Sequence, residues 1–185
     1  TVINQTTTCF ASTDVVVDNG CLGVAPVADF NASSTSVCIG ESVSFTDAST
    51  QSPTAWFWNF GDGITSTAQN PSHSFSAGGT YTITLTASNA AGSDDEVKLN
   101  YITVNSVNLS SSSIDETCNV NDGSVTVNPS SGSGNYSFAW NDALSQTTQT
   151  ANGLSQGTYS VIVTDNVTTC DASIDVDVLF DCAGP

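Results

Sequence analysis

The stretch Trp56-Phe57-Trp58-Asn59-Phe60-Gly61-Asp62-Gly63 decides the fold. Trp56, Trp58 and Phe60 recur at every second position, so they share one face of an extended strand. Gly61-Asp62-Gly63 then supplies a tight turn that tolerates positive φ. The same period of two continues downstream. Tyr81, Ile83, Leu85 and Ala87 alternate with Thr80, Thr82, Thr84 and Thr86. Threonine is β-branched and suits the wet face of a strand. Upstream, Val43 and Phe45 alternate with Ser42, Ser44 and Thr46.

The pattern persists to the end of the chain. Val125 and Val127, then Tyr136, Phe138 and Trp140, then Tyr159, Val161 and Val163, then Ile174, Val176 and Val178 keep the strand period. Helical periodicity is nearly absent, and Gly and Asn punctuate the runs where hairpins turn. These features predict an all-β chain: two β-sandwich modules in series, with an N-terminal β segment, and the resemblances given below make those sandwiches immunoglobulin-like. The divisions are residues 1–23, carrying the strand-like Asp14-Val15-Val16-Val17, then 24–105, then 106–185. The run Asn108-Leu109-Ser110-Ser111-Ser112-Ser113 reads as the linker between the modules, because it has few apolar anchors and no strand period.

Composition narrows the function. The 185 residues include 28 Ser, 25 Thr and 16 Asn, against one Lys (Lys98), one His (His73) and no Arg. Eighteen acidic groups give a formal charge of −17. Phosphate binding needs basic groups, so nucleic acid and anionic membrane surfaces are excluded as partners. No apolar run is long enough for a membrane-spanning helix, and no membrane insertion is expected. A Ser-His-Asp triad would need His73 as its base, and His73 instead falls on a strand of the first module, where a structural hydrogen bond is expected. The chain reads as no enzyme.

The succession Trp56 to Gly63, Asn70-Pro71-Ser72-His73-Ser74-Phe75, Gly78-Gly79-Thr80-Tyr81-Thr82-Ile83-Thr84-Leu85 and Asn89-Ala90-Ala91-Gly92 resembles the PKD (polycystic-kidney-disease repeat) domain. That resemblance covers residues 24–105 and implies a seven-stranded immunoglobulin-like sandwich. It also implies an extracellular spacer, a stalk or an accessory module beside secreted hydrolases, without catalysis. Trp58 would be the central core residue and Trp56 the more exposed one.

A second succession begins at Cys118-Asn119-Val120-Asn121-Asp122-Gly123-Ser124-Val125-Thr126. It continues through Gly132-Ser133-Gly134-Asn135-Tyr136-Ser137-Phe138-Ala139-Trp140 and Leu154-Ser155-Gln156-Gly157-Thr158-Tyr159-Ser160-Val161, and closes at Cys170. It is similar to the SprB-type repeat of Bacteroidetes gliding adhesins and other large secreted surface proteins. Ser131 stands where the pattern has a first glycine, and no glycine lies between Val167 and Cys170. The resemblance covers 118–178 and implies a module of long surface proteins. Tyr81 and Tyr159, both in Gly-x-Tyr strands, are expected to send their hydroxyls to backbone at a sheet corner.

The cysteines are Cys9, Cys21, Cys38, Cys118, Cys170 and Cys182. With no Cys-x-x-Cys and a single His they do not read as a zinc site, and an even count reads as disulfides in an oxidising place. Cys9 with Cys21 and Cys118 with Cys170 are the expected local pairs. Cys38 and Cys182 are left to bond each other or neighbouring subunits, and Cys38 alternatively reads as a buried free thiol. Sequons occur at Asn4, Asn31, Asn108, Asn135 and Asn166.

No cofactor is required. Calcium is the one ion the acidic composition suits, with Asp115-Glu116, read as part of the junction, the preferred place. The Asp94-Asp95-Glu96 run and Asp171, Asp175 and Asp177 read as solvated surface. The function that follows is a non-enzymatic extracellular or cell-surface structural and adhesive protein. In its sharper form it is the repeating subunit of a filament, assembled when residues 1–20 add a strand to a neighbour. The alternative is an accessory spacer of a larger secreted hydrolase or protease, binding protein or, with Trp56 or Trp140 as stacking platform, glycans. Partners are therefore copies of itself, neighbouring domains or glycans.

Overall fold

The computed structural model describes residues 23–118 and 120–182. Asn4, Cys9, Asp14 to Val17 and Cys21 lie outside them, and so do the expectations attached to those residues. Every regular element among the described residues is a strand.

The first module is a sandwich. One sheet has three strands, β1 (Phe30–Ala32), β3 (Ser42–Asp47) and β6 (Ser72–Ser74), with β3 in the middle. The facing sheet has five, ordered β2 (Ser36–Cys38), β8 (Gly92–Asn105), β7 (Gly79–Asn89), β4 (Ala55–Asn59) and β5 (Thr65–Ser66). The short β2 runs parallel to β8, which places Cys38 opposite Asn105 at the end of the sheet.

Alternation puts the predicted residues inside. Phe30, Val43, Phe45, Trp58, Phe60, Phe75, Ile83, Leu85 and Ile102 are buried in one cluster. Their rings interlock, Phe30 meeting Trp58 edge to face at 5.2 Å between centroids and Phe45 lying 5.2 Å from Phe60. Each fully buried ring of this kind contributes roughly 1.5–3 kcal/mol of burial. Phe57, one residue out of phase, points outward and is 48% exposed. Gly61 has φ +81°, and a Cβ there would sit 2.6 Å from the Thr82 carbonyl oxygen, so only glycine fits the turn after Phe60.

The chain's one lysine ties the two sheets together. Lys98 on β8 reaches across to Asp29 Oδ1 at 2.9 Å and to the Phe30 carbonyl, with its ammonium 4.5 Å from the Phe30 ring centroid. Hydrogen bonding from Lys98 holds the Asp29 carboxyl below its ordinary value.

The second module has two three-stranded sheets. One is ordered β13 (Thr150–Leu154), β11 (Gly123–Ser130) and β9 (Asn108–Ile114). The other is ordered β12 (Tyr136–Trp140), β14 (Gly157–Asp165) and β15 (Asp171–Val178). A parallel pair, β10 (Glu116–Thr117) and β16 (Phe180–Asp181), closes the far end. The core is mostly aliphatic: Val125, Val127, Ala151, Leu154, Val161, Val163 and Val178 around Trp140.

The expected linker is a strand. Asn108 to Ser113 belong to β9, which pairs antiparallel with β11 along its length. Ser110 to Ile114 are exposed, so the ladder to β11, rather than burial, holds this serine-rich strand in place. The connection between modules is only Ser106-Val107, and Val107 is itself buried in the second core.

Candidate functional site: the junction between the modules

The junction is built from four pieces of chain that converge on Ser106-Val107. β2 brings Cys38, and β8 ends at Asn105. The β11–β12 loop brings Ser131 to Ser133, and the turn before β15 brings Cys170.

Cys38 and Cys170 are joined by a disulfide across 132 residues of sequence, with 5.4 Å between their Cα atoms. This corrects the expected Cys118–Cys170 clasp within the second module, and the Cys38 expected to pair with Cys182, to join a neighbouring subunit or to stay a buried free thiol. The reason is topological. Parallel pairing of β2 with β8 carries Cys38 to the end of the first sandwich, where the second begins. Cys170 is 2% exposed, so the bond is largely shielded.

Hydrogen bonds reinforce it. Asn105 Nδ2 donates to Ser36 Oγ at 2.9 Å and to the Val37 carbonyl at 3.2 Å. Ser131 Oγ donates to the Ser106 carbonyl at 3.0 Å, and the Asn108 N–H donates to Ser131 Oγ at 3.3 Å. Beside the connection lies an open cleft of about 580 Å³, lined by Gly78, Gly79, Asn105, Ser106, Ser131 and Ser133 among others. It has neither a nucleophile–base pair nor a charged side chain in its wall.

The loop under this cleft is organised by Asp165, which is fully buried. It accepts hydrogen bonds from the Ser133 N–H and hydroxyl, from the Val167 N–H at 2.8 Å and from the Thr168 N–H at 3.2 Å. Led by the Ser133 amide and opposed by burial, these donors hold its carboxyl down at about 2. Gly132 has φ +88°, and a Cβ there would meet Asp165 Oδ2 at 2.5 Å.

Elsewhere the predicted residues serve the fold. His73 Nε2 lies 2.7 Å from Asp62 Oδ2, and its ring stacks on Phe60 at 4.3 Å. Trp58 is buried and its indole N–H donates to the Ala68 carbonyl at 2.9 Å. Trp56 is half-buried against the first core and donates to Asp47 Oδ2 at 2.8 Å. Trp140 is 5% exposed and donates to the Thr148 carbonyl at 2.8 Å. Trp140 therefore offers no face to a sugar, which corrects its place as a stacking platform.

Asp115 and Glu116 lie beyond β9, at its end away from the junction. Asp115 Oδ1 accepts the Leu179 N–H at 3.0 Å. Glu116, 2% exposed, accepts the Asn121 N–H on one oxygen at 3.0 Å and the Gln156 N–H on the other at 2.7 Å. An ion held there would brace the far end of the second module and leave the junction untouched. Asp175 and Asp177 line the wet face of β15, as the alternation predicts, where they accept from Ser160 and Thr158. The sequon residues Asn31, Asn108, Asn135 and Asn166 are exposed, and Asn166 Nδ2 donates to Asn135 Oδ1 at 3.0 Å.

The buried carboxylates Asp142 and Asp165 escape a reading of the sequence. Asp142 accepts from the Gln146 N–H at 2.8 Å, the Leu144 N–H at 3.1 Å and the Gln146 side chain at 3.0 Å. The only signal for Asp165 is the Asp-Asn turn ahead of Cys170.

Comparison with known proteins agrees with both resemblances. Residues 23–104 match the PKD domain family, and residues 110–145 match the SprB repeat. A stretch of 42 residues is 45% identical to collagenase ColA of Bacillus cereus, covering 23% of this chain. The chain spans 4% of the length of that relative. The PKD1 domain of the Vibrio cholerae metalloprotease PrtV is 33% identical over 44% of this chain and 98% of its own, with a TM-score of 0.38. The PKD1 domain of Vibrio anguillarum Epp is 29% identical with the same coverage and a TM-score of 0.39. PKD-type domains are non-catalytic, typically accessory regions of larger proteins, and neither match points to a catalytic family.

Proposed function

We propose that this chain, a PKD domain at residues 23–104 followed by a SprB repeat at 110–145, is a stiff structural and adhesive spacer of an extracellular or cell-surface protein. The Cys38–Cys170 bond carries this reading. Two sandwiches on a long linker would swivel, whereas two residues of connection plus a covalent cross-tie fix their mutual orientation. The acidic, nearly lysine-free surface suits long exposure outside cells, and the polar cleft at the joint lacks the groups a catalyst needs.

The spacer reading has a mechanical consequence. Tension applied at the two ends passes from Cys38 to Cys170 through the disulfide and bypasses the intervening chain. Stretching single molecules tests it. Reductant should lengthen the fully extended chain by about 450 Å, at roughly 3.3–3.6 Å for each released residue. A chain that reaches full extension without reductant would sink the proposal.

The sharper form, a filament subunit, is supported by strand edges that pair with no other strand among the described residues, at β1, β6, β12 and β13. An incoming strand from residues 1–20 of a neighbour could extend such an edge. Deleting residues 1–20 should then leave folded but unassembled monomers under the electron microscope, while persisting fibres refute strand exchange. The similarity to a collagenase supports the other form, an accessory region beside a secreted hydrolase.

A further inference from the structure

Among the described residues, the two cysteines outside the cross-module bond, Cys118 and Cys182, are both exposed and unbonded. They are also neighbours. In the parallel pair β10–β16, Glu116 stands opposite Phe180 and Thr117 opposite Asp181. The next residue on each side is a cysteine. Neighbouring strands run about 4.8 Å apart, and disulfides span Cα separations of about 4.4–6.8 Å. The neighbouring Cys118 thiol raises the Cys182 thiol above its ordinary value, chiefly by hydrogen bonding.

The surroundings hold this pair in place. Asp115 Oδ1 receives the Leu179 N–H, and the Glu116 N–H donates to the Leu179 carbonyl at 2.9 Å. On the other side Asp122 accepts the Thr117 N–H at 2.7 Å, and Glu116 accepts the Asn121 N–H. Cys118 itself has φ +47°, a left-handed conformation uncommon for any residue but glycine. An exposed cysteine held in an unfavourable conformation, in register with a second cysteine, has the makings of half a crosslink.

We propose that Cys118 and Cys182 form a second disulfide, which fastens β16 to β10 and interlocks with the Cys38–Cys170 loop. The oxidant is another disulfide, of a protein or a small thiol. One cysteine thiolate attacks it, forming a mixed disulfide and expelling one thiolate. The second cysteine thiolate attacks the mixed disulfide, closing Cys118–Cys182 and expelling the other. Two thiols have lost two protons and two electrons, and the oxidant leaves as two thiols. With both bonds closed, β15 is anchored covalently at each end. The exposed bond is the first to yield to reductant, ahead of the shielded Cys38–Cys170.

The test uses the full chain, equilibrated with oxidised glutathione, alkylated and cut on the N-terminal side of Asp. Mass spectrometry should find residues 115–121 joined to residues 181–185, and residues 165–170 joined to residues 29–46. Mild reductant should release the first species before the second. Full alkylation of Cys118 and Cys182, or a peptide joining Cys118 to any other cysteine, overturns the proposal. A C182S variant should leave Cys118 alkylated.

Discussion

The two modules reach the same architecture with different materials. The first is held by rings: Phe30, Phe45, Trp58, Phe60, Phe75, with His73, Tyr81 and Tyr101 at the margins. The second has a valine core and fastens its loops with carboxylates, and all three buried acidic residues among those described, Glu116, Asp142 and Asp165, lie in it. Yet the corner device is shared. Tyr81 donates to the carbonyl four residues before it, at Ala77, and Tyr159 does the same at Ser155, at 2.8 and 2.9 Å. Aromatic packing stabilises through area removed from water and is indifferent to acid. Carboxylates that collect backbone amides stabilise only while they are charged.

The largest expected effect separates the two strategies. Trp58→Ala removes the centre of the ring cluster and should cost about 3–5 kcal/mol in urea denaturation. A loss below about 1 kcal/mol would show that the first module does not depend on its rings.

Acid should then strike the other module. Asp165 is held at about 2 in the folded chain, below its unfolded value near 3.9. Its contribution is complete above the unfolded value and is lost as the pH falls through about 4 toward 2. Amide NMR spectra recorded down that range should lose dispersion at Val125, Val161 and Val163 before Ile83 and Leu85. Simultaneous loss would erase the contrast.

A smaller effect tests what the modules share. Tyr81→Phe and Tyr159→Phe each delete one hydroxyl-to-carbonyl bond and should each cost about 1 kcal/mol by thermal denaturation. A large inequality would mean that only one corner matters. The smallest effect concerns the acidic pair. Asp115 and Glu116 already receive backbone amides, so chelator or added calcium should leave the melting temperature unchanged. A rise with calcium would assign an ion to them.

Much of the first module was legible because its alternation is written in two residue classes, rings and hydroxyls. Trp58, Phe60, Ile83 and Leu85 could be placed inside on period alone. The β9 run could not be placed, since four serines in succession carry no period and only the ladder to β11 shows them to be strand. Asp142 and Asp165 were hidden for a related reason. A carboxylate becomes a loop anchor only when amides from turns converge on it, and that convergence is a property of the folded chain. The Cys38–Cys170 pairing depends on the parallel placement of β2 against β8, a long-range choice that residue spacing does not encode.

That bond also decides what happens after damage by a protease. Trypsin-like enzymes can cut only after Lys98, which lies within the loop the bond closes. Its side chain is 22% exposed and engaged with Asp29, so the folded chain resists the cut. If the cut is made, the fragments stay attached through Cys38–Cys170, and the same holds for a single break anywhere in residues 39–169. The molecule gains a water and loses no mass. An attack that would sever two beads on a string leaves a nicked but continuous chain, and whatever the far module holds is not set free.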